Sequence, residues 1–333
     1  MNDPHAPLRV VHLQRLPSLI HFSIERLFSS VREHLPPDVQ IRTWECPRDS
    51  GGWANRLRNV LSARRVRGDV LHVTGDVGYL ALGLRHPIVL TVHDLVLLHR
   101  LDGWRKTIGR KLWFDWPCRR ATIVTTVSES TRQELLAATG CNPDKVVVVH
   151  NPLIRHVEAS HRPMQSRPRI LQIGSAWNKN FVRQAEALAG IPCVLDFVGL
   201  LSPEHRDALV RHGIEFTVSY GLDDDEMAAR FVECDILMFV STYEGFGLPI
   251  IEAQATGRPV VTATTSSMPE VAGEGACLVD PFNVESIRAG LLRIINDESY
   301  RDSVIEAGYR NVRRFQPDRI AAQYAAVYRA TLR

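Results

Sequence analysis

Short apolar runs of strand length alternate with amphipathic segments along almost the whole chain, and this alternation limits the possible folds more than any other feature. A strand, a helix and a second strand in sequence form a parallel pair, and repetition of this unit builds a parallel sheet with helices on both faces. The sequence therefore predicts an α/β fold. With 333 residues, the chain is long enough for two such domains, each with its own core.

The predicted strands form two sets, separated by a polar stretch from Asn151 to Arg167 that we interpret as an interdomain linker. The first set is Leu8–Leu13, Val39–Trp44, Asp69–Val73, Ile88–His93, Thr122–Val127 and Val146–His150. The second set is Ile170–Gly174, Val194–Val198, Ile214–Thr217, Ile236–Val240, Val260–Ala263 and Cys277–Val279. Helices are predicted at Ser23–Glu33, Ser128–Ala138, Asn283–Asn296, Ser299–Arg314 and Pro317–Arg333.

The composition narrows the class of protein. Hydrophobic residues make up 45% and charged residues 23% of the chain, as in ordinary globular proteins. A net charge of +3 is too small to favour nucleic acid as a partner. The six cysteines lack the spacing of a zinc site, which predicts reduced thiols. Because the sequence shows neither a signal peptide nor an apolar run of membrane-spanning length, we expect a cytoplasmic protein.

The segment EGFGLPIIE, which begins at Glu244 and ends at Glu252, is the most specific motif. It follows a predicted strand, and Pro249 suits the first turn of a helix that Gly257 would end. Gly245 and Gly247 have two interpretations: they turn the chain, or they let the backbone approach a ligand closely. The N–H groups of a helix start bind anions. Two carboxylates for hydroxyl groups, with an anion site between them, match a nucleotide sugar.

Three other strand ends carry candidate site residues. Lys179 follows the first strand of the second set, and a helix is predicted to start near Asn178. This lysine has two interpretations: part of a clamp for a diphosphate, or an exposed side chain beside a helix cap. His93 fits a sugar ligand or a structural histidine bonded to a neighbouring loop. Asp76, which follows another strand, is a candidate for acceptor binding.

Two segments have competing interpretations. The acidic run Asp223–Glu226 would suit a metal ion, but it precedes an amphipathic segment, and acids in a first helical turn stabilise the helix dipole. We therefore predict no metal site. The segment Trp104–Pro117 mixes basic residues with three tryptophans, which fits either a surface for an anionic membrane or a helix that buries its aromatic rings.

The segment EGFGLPIIEAQATGRPVV, together with IGSAWNKN, TVHD, VTTVSEST and VVHNP, resembles the retaining glycosyltransferases of family 4, also called group 1. The resemblance covers most of the chain and is strongest to bacterial, mannosyltransferase-like members of cell-surface polysaccharide assembly. It implies the GT-B architecture: two doubly wound parallel-sheet, Rossmann-like domains facing across a cleft. The implied domains are an acceptor-side domain, 1–155, a nucleotide-sugar-binding domain, 156–316, and a C-terminal helix, 317–333, that crosses back to the first domain.

The resemblance also implies roles for individual residues. Glu244 would contact the hydroxyls of the donor sugar, Glu252 the ribose and Lys179 the diphosphate. Glu244, His93 and Lys179 are the catalytic candidates. The implied donor-binding residues are Gly174, Ser175, Asn178, Lys179, Gly199, Phe246, Gly247, Leu248 and Glu252, and the acceptor-side candidates are Arg15, Asp76 and Asp94. The chain departs from many relatives in having Ser175 and Asn178 where an arginine contacts the diphosphate, so Arg183 is a possible substitute.

The implied reaction moves a sugar from a nucleoside diphosphate donor to an acceptor hydroxyl with retention, without a metal ion or other cofactor. Mannose from GDP-mannose is favoured, with a glycan or lipid-linked oligosaccharide acceptor in lipopolysaccharide, O-antigen or other surface polysaccharide synthesis. The implied location is the cytoplasm, at the inner face of the plasma membrane. The alternatives are a nucleotide-sugar epimerase or phosphorylase of the same fold, and a non-catalytic subunit that binds nucleotide sugars.

Overall fold

The computed structural model describes residues 7–16, 23–85, 87–155, 159–160 and 162–332. The chain forms two compact units. Unit 1 consists of Met1–Ile154 with Gln316–Arg333, and unit 2 is Arg155–Phe315. The chain thus leaves unit 1 once and returns to it for its last helix. In the parts described, no helix combines the length and the apolar character needed to cross a bilayer.

Unit 1 is a six-stranded parallel sheet with helices, and its strand order is β2-β1-β3-β4-β5-β6. Its elements are β1 Leu8–Gln14, α1 Ser23–Glu33, β2 Val39–Glu45, α2 Gly52–Ala63, β3 Val70–Val73, β4 Ile88–Val92, α3 Val96–Arg100, α4 Gly103–Arg110, α5 Trp116–Arg120, β5 Ile123–Thr126, α6 Glu129–Ala138, β6 Val146–Val148 and, at the end of the chain, α14 Pro317–Ala330. Residues Lys111–Asp115 form a π-helical turn between α4 and α5.

Unit 2 is a second six-stranded parallel sheet, with the order β12-β11-β10-β7-β8-β9. Its elements are β7 Arg169–Ile173, α7 Phe181–Ala187, β8 Val194–Val198, α8 Pro203–Arg211, β9 Glu215–Ser219, α9 Asp224–Glu233, β10 Ile236–Phe239, α10 Leu248–Thr256, β11 Val260–Ala263, α11 Met268–Ala272, β12 Cys277–Val279, α12 Val284–Asn296 and α13 Glu298–Val312.

The predicted α/β class is confirmed, since all twelve predicted strands are present and their ends agree within two residues. The central strands could be located because they are buried on both faces and therefore read as continuous apolar runs. In β4 and β10, for example, every residue is buried. The helix prediction near Asn178 is wrong: residues Trp177–Lys179 form a 3₁₀ turn, and α7 begins only at Phe181.

A polar network joins the last helix to the sheet of unit 1. The hydroxyl of Tyr328, on α14, lies 2.8 Å from Nε2 of His12 and 2.9 Å from Nδ1 of His72. The Nε2 atom of His72 lies 2.7 Å from the hydroxyl of Thr91. All three rings are fully buried, and Phe28 of α1 packs edge-on against both imidazoles. Because buried polar groups without hydrogen-bond partners destabilise a fold, this network favours one position of α14 on the sheet.

Candidate active site

The chain topology of unit 2 brings two of the predicted site loops together. Strands β7 and β10 are neighbours, although they are separated in sequence, and the chain winds outward from them in opposite directions. Ligands of such sheets bind at the carboxyl ends of the strands, at this reversal of strand order. The loop after β7 carries Lys179, and the loop after β10 carries Glu244.

The two side chains meet directly. Lys179 Nζ donates to Glu244 Oε1 at 2.6 Å, and both side chains keep some exposure, 19% and 14%. Lys179 Nζ also lies 4.4 Å from the centre of the Phe239 ring, which adds a cation–π contact. The ammonium group is therefore held beside a carboxylate at the edge of the sheet while remaining accessible from solvent.

Backbone contacts fix the two loops against each other. Asn178 Nδ2 donates to the carbonyl of Tyr243 at 2.8 Å, and the Thr242 N–H donates to the carbonyl of Asn178 at 2.8 Å. Asn178, which the sequence assigned to donor binding, is thus tied to the Glu244 loop. Arg183, the suggested substitute for a diphosphate arginine, donates from Nη1 to Asn180 Oδ1 at 3.0 Å.

The glycines Gly174 and Gly199 allow a close approach between the ends of β7 and β8. Their φ angles are +91° and +154°, which side chains rarely adopt. A Cβ atom on Gly174 would lie 3.0 Å from Cε of Lys179, and one on Gly199 would lie 3.5 Å from the Gly174 backbone. Ser175 follows in the same turn and is half-buried. A larger residue at Gly174 would displace the lysine stem, whereas one at Gly199 would lie 3.1 Å from Cζ of Phe197.

The EGFGLPIIE segment has the predicted strand, loop and helix. Gly247 has a φ of +108° and caps α10, Pro249 lies in the first turn, and Gly257 has a φ of +77° at the helix end. Pro249 has no N–H, and the Ile250 N–H donates to the carbonyl of Gly247 at 3.0 Å. This helix start consequently offers fewer amide donors to an anion than the sequence pattern suggested.

Two serines that sequence reasoning missed hold the Glu244 loop from the side of β11. Ser266 Oγ accepts from the Glu244 N–H at 3.0 Å. Ser267 Oγ donates to the carbonyls of Glu244, at 2.9 Å, and Phe246, at 2.7 Å. Ser266 has a φ of +59°, an uncommon conformation for a non-glycine residue. The signal that could have found them is a run of small polar residues directly after a buried strand.

Glu252 is far more buried than Glu244, with a side-chain exposure of 2%. It lies in the second turn of α10 and forms an ion pair with Nη1 of Arg155, a linker residue. Arg155 Nη2 also lies 3.3 Å from Oδ1 of Asp224, in the first turn of α9. No local sequence pattern predicts this contact, since Arg155 and Glu252 are 97 positions apart.

The acceptor-side candidates gather at the strand ends of unit 1. Arg15 Nε donates to Glu25 Oε1 at 2.7 Å, and its Nη1 lies 3.2 Å from Asp76 Oδ2. Asp94 Oδ1 accepts from the Val96 N–H at 2.9 Å, which begins α3. Arg15 and Asp76 are therefore paired with each other, whereas Asp94 belongs to the next loop.

A pocket of about 340 Å³ opens beside these loops. Asp76, His93, Asp94, Arg100 and Trp113 are among its lining residues. His93 Nε2 donates to the carbonyl of Thr74 at 2.8 Å, so this nitrogen carries the proton. That hydrogen bond is the one expected of a structural histidine, and it also fixes the ring in the pocket wall. Carboxylates, a guanidinium and an indole together suit a polyhydroxylated ligand.

The acidic run has the predicted local role. Asp223 caps α9, and its side chain and that of Glu226 form reciprocal hydrogen bonds with each other's backbone N–H, at 2.9 and 2.8 Å. Asp224 and Asp225 lie in the first turn. Within the described residues, no cluster of three or more His, Cys, Asp or Glu side chains could hold a metal ion.

Family models and known proteins are similar to both units. The model for glycosyl transferases group 1 matches residues 158–311, and the model for glycosyltransferase family 4 matches residues 17–154. An MMP α-(1→4)-mannosyltransferase of Mycolicibacterium hassiacum is 28% identical over 96% of this chain and 85% of its own length. O-antigen chain mannosyltransferase B of Escherichia coli is 32% identical, but over only 32% of this chain and 28% of its own length.

Solved structures share the fold at low sequence identity. Anabaena HepE in complex with UDP and glucose superposes with a TM-score of 0.74, at 16% identity over 97% of this chain and 100% of its own. WaaG, a glycosyltransferase involved in lipopolysaccharide biosynthesis, gives a TM-score of 0.69 at 14% identity, over 96% of this chain and 99% of its own. Since the two family models together cover nearly the whole chain and these neighbours share its two-sheet fold, the protein belongs to the group 1, or family 4, glycosyltransferases and has the GT-B fold.

Proposed function

We propose that this glycosyltransferase moves a sugar from a nucleoside diphosphate donor to an acceptor hydroxyl with retention of the anomeric configuration. The observation that carries the proposal is the 2.6 Å contact between Lys179 and Glu244 at the strand ends of unit 2. A cation for the diphosphate lies directly beside a carboxylate for the sugar hydroxyls. The bond between sugar and phosphate would therefore lie next to this pair, with Glu252 further along α10 for the ribose.

The proposed mechanism is attack on the same face from which the leaving group departs. The acceptor oxygen forms a bond to the anomeric carbon while the bond from that carbon to the phosphate oxygen breaks with its electron pair. The leaving phosphate takes the proton of the acceptor hydroxyl. A retaining glycosidase would instead need two carboxylates roughly 5 Å apart as nucleophile and acid. Lys179 stabilises the charge that develops on the leaving diphosphate, and His93 is proposed to assist at the sugar.

For the donor we propose GDP-mannose, because the mannosyltransferases of Mycolicibacterium hassiacum and Escherichia coli are among the similar sequences. The proposed acceptor is a glycan or lipid-linked oligosaccharide of surface polysaccharide synthesis, held in unit 1 by the pocket that Asp76 and Asp94 help to line. An epimerase or phosphorylase of the same fold would release product without such an acceptor, and a non-catalytic subunit would bind the donor without transfer.

Nucleotide binding should raise the melting temperature. A ligand at about 100 times its dissociation constant adds roughly 2.7 kcal/mol, which shifts the melting temperature by several degrees in domains of this size. We expect GDP and GDP-mannose to shift it and UDP-sugars to shift it less, measured by differential scanning fluorimetry. A shift with the UDP series alone would overturn the donor assignment, and no shift with any nucleotide would contradict nucleotide-sugar transfer.

We further propose that unit 1 touches an anionic bilayer through two neighbouring helical segments. Trp104 and Ile108 of α4, from the predicted aromatic segment, are exposed on one helix face. Helix α2, which the sequence analysis did not single out, exposes a second apolar stripe at i, i+4 and i+8: Trp53, Leu57 and Leu61. Exposed apolar stripes of this kind typically mark an interaction surface.

The charge of these segments fits anionic lipid. Residues 52–67 contain no acid, and residues 103–120 contain only Asp115, which is paired with Arg110. The exposed basic residues are Arg58, Arg64, Arg65, Arg67, Arg105, Lys106, Lys111, Arg119 and Arg120. Arg56 lies over the rings of Trp53 and Trp113, at 5.6 and 4.6 Å, and so links α2 to the turn after α4. Aromatic rings beside basic residues are typical of proteins that lie in the membrane interface.

Vesicle sedimentation tests this surface. The protein should sediment with vesicles of equal parts phosphatidylglycerol and phosphatidylcholine, and less at high salt or with phosphatidylcholine alone. Leu57→Glu combined with Trp104→Glu should reduce the binding constant by about tenfold or more, since each charge near the surface contributes about 1 kcal/mol. The control is Val210→Glu, an equally exposed apolar position on α8 of unit 2. If the double variant and the control bound anionic vesicles equally well, the proposed membrane-binding surface would be refuted.

A further inference from the structure

Arg155 occupies an unusual position in the chain. It is the first residue of unit 2, directly after the end of unit 1 at Ile154. Its guanidinium reaches the first turn of α9, through Asp224, and the second turn of α10, through Glu252. One side chain of the linker therefore holds the carboxylate that is proposed to bind the ribose.

The two carboxylates that contact Arg155 differ in their exposure to solvent. Glu252 is 2% exposed and Asp224 is 49% exposed, while Arg155 is 20% exposed. A buried carboxylate without a cation would favour its neutral form or turn away toward water. The exposed Asp224 is hydrated and stays ionised without a neighbouring cation. Arg155 thus matters mainly to Glu252, and the contact with Asp224 restrains the far side of the guanidinium.

We propose that Arg155 is a positioning residue for the nucleoside part of the donor: it keeps Glu252 ionised and oriented so that the carboxylate accepts hydrogen bonds from the ribose hydroxyls. This inference rests on the proposed role of Glu252 in donor binding. An ionised carboxylate only accepts hydrogen bonds, whereas in a protonated carboxyl group one oxygen carries a proton and acts as a donor. Hydrogen bonds to a charged acceptor are also the stronger ones.

The linker supplies a matched control. Arg162 also pairs with a buried carboxylate of unit 2: Nη2 lies 2.8 Å from Oδ1 of Asp235, which is 1% exposed. Asp235 precedes β10, at the amino end of the strand, whereas the donor-site loops follow the carboxyl ends. Loss of either arginine leaves a buried carboxylate without its guanidinium, but only loss of Arg155 affects Glu252.

The test measures the dissociation constants of GDP and UDP and of their 2′-deoxy and 3′-deoxy counterparts, by titration calorimetry on the full chain. The wild type should bind a ribonucleotide more tightly than at least one deoxy counterpart. Arg155→Gln should weaken binding of that ribonucleotide by about tenfold or more and remove its advantage over the deoxy form. Arg162→Gln should lower the melting temperature but keep the discrimination, and Asp224→Asn should keep it too.

The outcomes separate the inference from the proposed function. If the wild type bound ribo- and deoxynucleotides equally, the ribose role of Glu252 would fail, and Arg155 would lose its role with it. If the wild type discriminated and folded Arg155→Gln did so equally well, only the Arg155 inference would be overturned. Should Arg155→Gln not fold, Arg155→Lys, which retains the charge but not the two-pronged geometry, decides: reduced discrimination supports the inference, and full discrimination overturns it.

Discussion

Lys179→Ala should reduce turnover by about 100-fold or more, the loss typical of removing one group that stabilises charge in a transition state. The structure gives two reasons for a large effect. The ammonium lies at the strand ends, beside the proposed sugar ligand, Glu244, at 2.6 Å. Its removal would also leave the Glu244 carboxylate without this cation, and a negative charge near the leaving diphosphate opposes its departure. Initial-rate kinetics with the identified donor measure the effect.

Two controls separate charge from other consequences of the substitution. Lys179→Arg keeps the charge and should retain more turnover than Lys179→Ala. Lys145→Ala removes a lysine from unit 1, where Nζ donates to the carbonyl of Ala121 at 3.1 Å, and should leave turnover unchanged. Turnover of Lys179→Ala within a few-fold of the wild type, with the variant folded, would remove Lys179 from the mechanism.

The elements of the site that depend on local chemistry were predictable from sequence. Pro249 in a first helical turn and Gly257 at a helix end obey rules that involve only neighbouring residues, and both are where those rules place them. The acidic run was assigned to the first turn of a helix for the same reason, and Asp224, Asp225 and Glu226 lie there, with Asp223 as the cap. Buried strands such as β10 were predictable because they are short apolar runs in the sequence.

The remaining features depend on contacts between distant segments. No local rule pairs Arg155 with Glu252 or places Ser267 beneath the Glu244 loop, because these contacts follow from the strand order of unit 2. The expected helix start near Asn178 failed because Asn180 adopts a left-handed conformation, with a φ of +56°. Its side chain is held there by the carbonyls of Val240 and Pro281, at 3.2 and 2.6 Å.

The buried histidines of unit 1 also escaped sequence reasoning, and they have consequences for stability. Burial, with a smaller effect from the positive charge of Arg32, lowers the pKa of His12 from 6.5 to about 3. Burial likewise lowers the pKa of His72 well below its usual value, with smaller effects from His12 and His93. Both rings contact Tyr328 on α14 and Phe28 on α1, so neither can be protonated without a charge entering this core.

Mild acid should therefore destabilise unit 1. Unfolded histidines take up protons below about pH 6.5 while the folded ones do not, so the stabilisation is complete above pH 6.5 and is lost as the pH falls toward 3. Well below pH 6.5, each histidine lowers the free energy of unfolding by about 1.4 kcal/mol per pH unit, and the two together lower it by about 3 kcal/mol between pH 6.5 and 5. Carboxylates, with ordinary pKa values near 4, titrate mostly below this window. Urea unfolding at pH 7, 6 and 5 measures how the free energy of unfolding changes with pH. His12→Gln should roughly halve this slope. An unfolding free energy that stays constant from pH 7 to 5 would show that the two imidazoles can be protonated in the folded state.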